Sequence, residues 1–477
     1  MTRGTAAESP ESIWAGAVAQ DITPQKFPIS VNGSMTDVQA TAAHDPINAR
    51  CIVLKNSDTA LAIVVCDSCA IPRDLMDRAK ALAAVKTGIP VSHMLISATH
   101  SHSCPTATSV FQSEPNAEYQ EFLVAQIATG IERASSQLEP ARVGWGTVDE
   151  KSQLFNRRWY VKPGSVTDPN ANGKGDVVDG AVKNPFGEPA DRIIMNPGYN
   201  NPRVTGSVGL IDPGLSFISI QSREGRPIAL LANYSLHYVG GVPANSVSAD
   251  YFGAFAQRIA RQLKAADVQP AFVGIMSNGT SGDVNNIDFR LTAAPHREPF
   301  EQIEFVAQLL ADDIGKVCEK IEYHSALPLR AREAEVELAV RKPNADEVAA
   351  AESFLATTTA HPLRELPAIY ARETKLLGQY PAVVTAKIQA LRIGSLGIAT
   401  SPCETFTQTG LDIKSQSPLK QTFTISLANG YNGYLPTEDQ AALGGYETWR
   451  ARSSYLARDS ESKVKAKILE LLAEVSR

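Results

Sequence analysis

The chain has 477 residues, a net charge of −6, 43% hydrophobic and 20% charged residues. It has no clustered basic stretch to follow a phosphate backbone, which excludes nucleic acid as a partner. It has no apolar run near the ~20 residues that cross a bilayer. Its six cysteines are too few for a disulfide scaffold of this length.

Residues 1–14 are polar and lack the apolar stretch of a secretory signal. They are expected to form a disordered tail, with residues 15–477 as one catalytic domain. A cytoplasmic location follows, or a secreted or periplasmic one if a leader has been removed. Residues 51–56 and 60–66 read as two strands around the turn signal Asn56-Ser57-Asp58. Cys66 and Cys69 form a C-x-x-C that reads as a buried thiol pair, since no second pair accompanies it. Residues 73–85 are helical in pattern. Met94-Leu95-Ile96 reads as a buried strand, and residues 118–134 place Tyr119, Leu123, Ile127 and Ile131 on one helical face.

Residues 160–206 are rich in Gly, Asn, Pro and Asp without periodicity, and are expected to form a long surface excursion. Strand-like runs follow at 215–221, 227–232, 271–276, 388–393, 396–400 and 421–427. Helical patterns occupy 251–264 and 299–320. Two more lie between 344 and 379, within a helical insertion at 340–380, and a final helix spans 462–476. Strands alternate irregularly with helices, which predicts an α/β fold, a mixed sheet surrounded by helices.

Five apolar runs empty into chemically capable segments. Met94-Leu95-Ile96 leads to His100 and His102, and Ile228-Ala229-Leu230-Leu231 leads to Asn233 and His237. The run at 272–276 leads to Asn278 and the Gly-rich segment ending in Asp283. Leu396-Gly397-Ile398-Ala399 leads to Cys403, which reads as packing, and Glu404. The run at 423–427 leads to Asn429, Tyr431 and Tyr434. If these strands share a sheet, their ends meet in one crevice. Imidazoles and a carboxylate gathered there are a ligand set of the catalytic zinc type. The G-x-S-x-G elbow, Walker A and G-x-G-x-x-G motifs are all missing, which removes the usual serine hydrolase and nucleotide-binding signatures.

At these same positions the chain resembles the neutral/alkaline (non-lysosomal) ceramidase family, over about residues 15 to 450. The resemblance rests on the opening segment Ala15 to Pro24, on His44-Asp45-Pro46-Ile47-Asn48-Ala49-Arg50, and on Ala98-Thr99-His100-Ser101-His102-Ser103. Asn156-Arg157, Gly282-Asp283-Val284, and Tyr434 with Tyr446 twelve residues apart complete it. The resemblance implies a zinc amidase with a role in lipid metabolism. The metal ligands would be His100, His237, Glu404 and Tyr434, the tyrosine through the resemblance alone. His102 would stand beside the metal-bound water, and Arg157 and Tyr446 would bind the scissile carbonyl. Asp283, Asn285 and Cys104 would line the substrate pocket.

Three departures stand out. Asn285 replaces the family's serine, Cys104 replaces a glycine, and the family's immunoglobulin-like C-terminal domain is not expected. Ceramide itself is therefore not the expected substrate. The leading expectation is a zinc-dependent hydrolase that cleaves an N-acyl amide bond in a small-molecule or lipid-like substrate, with one metal per chain. Ligands without thiolate also suit Mn, Fe or Co. One alternative is a hydrolase of small polar amides, esters or lactones, with Arg157 and Arg158 holding a substrate carboxylate. The other is a catalytically inactive, ceramidase-like binding protein.

Overall fold

The computed structural model describes residues 11–162, 177–178, 181–182, 191–359 and 361–477. Eight long strands form one sheet: β1 Trp14–Asp21, β2 Asn48–Lys55, β3 Ala60–Cys66, β4 Met94–Ala98, β5 Glu139–Asp149, β6 Gly214–Ser222, β7 Pro227–Tyr234 and β8 Val273–Asn278. Their order is β8-β7-β6-β5-β1-β2-β3-β4. A second sheet holds β9 Leu329–Ala339, β10 Val383–Ile393, β11 Leu396–Thr400 and β12 Gln421–Ile425, in that order. The two sheets mix antiparallel and parallel pairs, so the α/β expectation holds.

The parallel pairs are β3/β4, β7/β8 and β11/β12. A parallel pair needs a crossover, which a helix usually supplies. Here the crossovers run through α1 Arg73–Thr87, α3 Asp250–Gln262 and α7 Thr407–Gln416. The remaining long helices are α2 Ala117–Ser136, α4 Glu301–Cys318, α5 Ala345–Ala356, α6 Leu366–Leu377 and α8 Ser460–Ser476.

Local chemistry explains several boundaries. The Asn56 side chain accepts hydrogen bonds from the Asp58 and Thr59 amides and so closes the β2–β3 hairpin. Helix α1 stops at Gly88, which takes φ +72° and returns its N–H to Ala84. Asn116 caps α2, and Asn344 with Glu347 forms a capping box on α5.

Alternation along β2 builds two cores. Cys51 and Val53 face the layer of α1 and α2, while Ile52 and Leu54 face a central core. That central core also takes side chains from β1, β3, β6, β7 and β8 and from all four strands of the second sheet. Helices α3 and α4 cover β6 to β8, and α8 covers the second sheet.

The five chemically important strand ends do not share one sheet. Three belong to the eight-stranded sheet (β4, β7, β8) and two to the four-stranded sheet (β11, β12). They still meet, because the chain leaving β12 threads between the ends of β8 and β4. The Ser426 amide donates to the Asn278 carbonyl at 3.0 Å. Ser97 and Ala428 form an antiparallel bridge.

Two other expectations change. Residues 1–10 of the expected tail lie outside the described residues, but Ser12 bridges Ala326 and Ile13 is buried. Much of the 160–206 excursion also lies outside them. Its described ends are not patternless: strands Arg158–Val161, Ile193–Met195 and Val204–Ser207 form a small antiparallel sheet. No helix among the described residues is long and apolar enough to cross a membrane.

Candidate metal centre

Each imidazole is held from behind. After β3 and β4 end side by side, the His100 amide donates to the Ser68 carbonyl at 2.8 Å. Nδ1 of His100 lies 2.8 Å from the Cys69 carbonyl. His100 takes φ +73°, a strained choice for a residue with a Cβ that costs about 1–3 kcal/mol and is typical of functional positions. His237 follows β7, and its Nδ1 lies 3.1 Å from the Ser281 carbonyl. Asn278, at the end of β8, donates to the carbonyls of both Thr99 and Leu236 at 3.2 Å. It therefore pins the residue before each of these two histidines.

A carbonyl can only accept, so both Nδ1 atoms carry the proton and both Nε2 atoms present lone pairs. Those lone pairs face each other: Nε2 of His100 is 3.0 Å from Nε2 of His237. Oε2 of Glu404 lies 3.2 Å from His100 Nε2 and 3.9 Å from His237 Nε2. That oxygen is buried and receives no conventional hydrogen bond. Three acceptors turned on one point repel one another unless positive charge, a proton on His100 or a bound cation, lies among them. The donor set of two imidazoles and a carboxylate fits a divalent metal. Glu404 and Tyr434 are register partners in a short parallel bridge, which sets the phenol beside the carboxylate.

The electrostatics call for positive charge at the same point: with no metal there, Glu404 draws a proton onto His100. Burial opposes charge on His100, but Glu404 outweighs it and holds the His100 pKa well above the ordinary value. Burial, and then the charges on His100 and Arg157, push His237 well below it. Burial and the same two neighbours do likewise for His102. Burial also raises Tyr434 and Tyr446, so both phenols keep their protons.

His102 Nε2 lies 3.2 Å from His100 Nε2. Its ring stacks on Tyr238 at 3.8 Å. Arg157 is buried, donates to the Gly282 carbonyl at 2.7 Å and to the Tyr434 hydroxyl at 3.1 Å, and carries Nη1 3.5 Å from His237 Nε2. Tyr446 meets the Tyr434 ring edge-on at 6.0 Å. A cavity of about 310 Å³ opens on these groups. Its wall includes Met35, Ile193, Ile194, Met195, Leu366 and Trp449.

The structure thus gathers His100, His102, His237, Glu404, Tyr434, Arg157 and Tyr446. It does not bring all the expected pocket residues to the cavity. Asp283 is buried behind it, accepting from Asn156 Nδ2 at 2.9 Å and from the Thr407 amide and hydroxyl, each at 2.8 Å. The Cys104 thiol is fully buried against the Ser248 carbonyl at 3.4 Å. Asn285 stands one residue back, donating to Asn196, which lines the cavity. Arg158 is not free to hold a substrate carboxylate. It is fully buried and spent on Glu447, Gln440 and Gly444.

Sequence reasoning missed Glu447, Tyr238 and Gly33. Only Glu447 left a signal, as the residue after Tyr446.

No family model matches the chain, and no curated protein is significantly similar to it in sequence. Solved structures are similar to it. One is described as neutral ceramidase from Pseudomonas aeruginosa, with a TM-score of 0.70 and 17% identity, covering 98% of this chain and 75% of the other. A second, described as ceramidase complexed with C2, has a TM-score of 0.71, 17% identity and the same coverage. The chain therefore has the neutral ceramidase fold.

Proposed function

We propose that this protein is a metal-dependent hydrolase of an amide bond, with His100, His237, Glu404 and Tyr434 holding zinc. The observation that carries the reading is the pair of imidazole Nε2 atoms facing each other at 3.0 Å beside a buried carboxylate. Similarity to structures described as ceramidases supports the choice of an amide. Zinc in such a site supplies Lewis acidity and a water of lowered pKa.

The chain's own residues do the rest. Arg157 keeps its charge and turns Nη1 toward the metal ligands, where it holds the carbonyl oxygen as negative charge develops. Tyr446, protonated because it is buried, donates to the same oxygen. His102 is held neutral. It takes a proton from the attacking water and passes it to the leaving nitrogen. The apolar wall of the cavity receives an apolar substituent of the substrate. That lining counts against a hydrolase built for small polar amides.

The test is elemental analysis beside an amide panel, on wild type and His237→Ala. The expected result is one zinc per chain, lost in the variant, with hydrolysis of N-acyl amides that carry an apolar group. A wild-type protein without stoichiometric metal overturns the reading. A protein that holds metal but turns over no amide or ester is instead a binding protein on this fold.

A further inference from the structure

The candidate metal centre faces two spaces of unequal size. The cavity of about 310 Å³ carries Arg157 and His237, and a smaller one of about 50 Å³ carries His100 and Glu404. Gly33, His102, Tyr434 and Tyr446 border both, so a single reacting centre opens on the two sides. The small side ends against Cys69, Ala70, Phe111 and Ser453, all of them buried. At about 10–15 Å³ for each water-sized group it holds about four, and one of those positions is the cation's.

The small side also offers an acceptor. Asn32 borders it and is 3% exposed. Its Nδ2 donates to the Thr108 carbonyl at 3.2 Å, while its Oδ1 is buried and receives no hydrogen bond. A buried acceptor without a donor is destabilising, and a ligand that brings a donor relieves it. The rings of Phe111, Tyr431 and Tyr446 line the same space, and aromatic faces attract a cation.

On the amidase reading, which this inference takes as its basis, hydrolysis breaks the C–N bond and adds water. The acyl side becomes a carboxylate, and the nitrogen leaves as an amine that takes up a proton. Those charges sort the two sides. Arg157 borders the large cavity and not the small one, so the carboxylate and its apolar chain belong in the large cavity. The ammonium belongs with the rings and the free acceptor of the small side.

We propose that the substrate is an N-acyl derivative of a small amine, with no more than about three heavy atoms beyond the scissile nitrogen, and that Asn32 selects an amine whose far end donates a hydrogen bond.

The experiment keeps one apolar acyl group and varies the amine, comparing the ethanolamide, its propylamide isostere and the octylamide. The proteins are wild type, Asn32→Ala and Asn32→Asp with zinc bound. Wild type is expected to favour the ethanolamide over the propylamide by about tenfold in kcat/KM, and over the octylamide by about 10²-fold, as a pocket that matches size and one polar group does. Asn32→Ala should lose the first preference and keep its metal, whereas Asn32→Asp, which retains an acceptor, should keep both. Calorimetry with free ethanolamine and propylamine reads the same pocket without turnover. Equal rates on the ethanolamide and octylamide overturn the small-amine assignment and leave the amidase reading standing. A preference for the ethanolamide that survives in folded Asn32→Ala overturns the role of Asn32. If no amide turns over but ethanolamine binds wild type about tenfold more tightly than Asn32→Ala, the amidase reading fails and the pocket assignment stands. If ethanolamine binds neither protein and no amide turns over, both fail.

Discussion

Glu447 holds both arginines of the Asn156-Arg157-Arg158 segment at once. Its Oε1 accepts from Arg157 Nε at 3.1 Å and its Oε2 from Arg158 Nη1 at 2.8 Å. All three side chains are buried. Arg157 owes its aim toward His237 to this carboxylate.

Removing it leaves two guanidinium groups buried without their counter-charge. Glu447→Ala is expected to cost about 3–5 kcal/mol, the usual consequence of breaking a buried ion pair from one side. Amide turnover should fall with it. Urea unfolding of Glu447→Ala and Glu447→Gln measures the first effect. A loss below about 1 kcal/mol in the alanine variant would show that the arginines do not need Glu447.

Gly33 forms the floor under His102. A Cβ at position 33 would stand 2.5 Å from Cγ and Nδ1 of that ring, and the residue has φ +114°. Gly33→Ala is expected to tilt His102 and lower turnover by about 10²-fold, the cost of a catalytic group misplaced by an ångström, while metal content stays unchanged. Gly88→Ala is the control. It has φ +72° but nothing within 4 Å of its Cβ, so it should lose stability without losing turnover. Equal losses of turnover in the two variants would trace the effect to backbone strain rather than to His102.

Lys80 on α1 has its amine fully buried, donating to Asn429 Oδ1 at 2.7 Å. Burial lowers its pKa from 10.5 to about 8, although Glu333 pulls the other way. Between those values the unfolded chain holds the proton and the folded chain does not, so this residue makes stability rise with pH, by about 3 kcal/mol across the window. Below about pH 8 both states are protonated and the cost of the buried charge is constant. The buried thiols of Cys51, Cys66 and Cys104 have raised pKa values and act in the opposite sense. The readout is therefore the difference between wild type and Lys80→Met in denaturant unfolding from pH 7 to 10. The variant's advantage at pH 7 should shrink as pH rises, and a pH-independent difference would refute the assignment.

Leu366 opens α6, is half-buried, and closes one wall of the 310 Å³ cavity. Leu366→Ala is expected to shift selectivity toward bulkier acyl groups by about tenfold in kcat/KM, the scale on which apolar pockets discriminate methylenes. A homologous series of N-acyl amides checks it. An unchanged chain-length profile would place the acyl group elsewhere.

Periodicity and turn chemistry made the secondary structure legible. The β2–β3 hairpin, helices α1 to α4 and the pair α5–α6 follow from apolar spacing and from local residues such as Asn56 and Gly88. The histidines were legible too, because a strand that ends in Thr99-His100-Ser101-His102 announces its chemistry within a few residues. What depends on distant partners was not. Arg157 and Glu447 are 290 positions apart, and nothing in either segment announces the other. Asp283 and Cys104 sit beside functional motifs in sequence but turn away from the cavity, because Thr407, Asn156 and Ser248 offer them better partners.

By itself the sequence determined most of the elements, β5, β9 and α7 excepted, and which residues stand at their ends, since backbone preference, capping and hydrophobic period act over a few neighbours. Only the tertiary structure decided that two sheets, not one, bring those ends together. It also decided that His100 faces His237 and Glu404 on one side and Cys69 on the other. Those relations come from close packing and buried charge between segments hundreds of residues apart, where the cost of an unpaired group is set by the whole surrounding core.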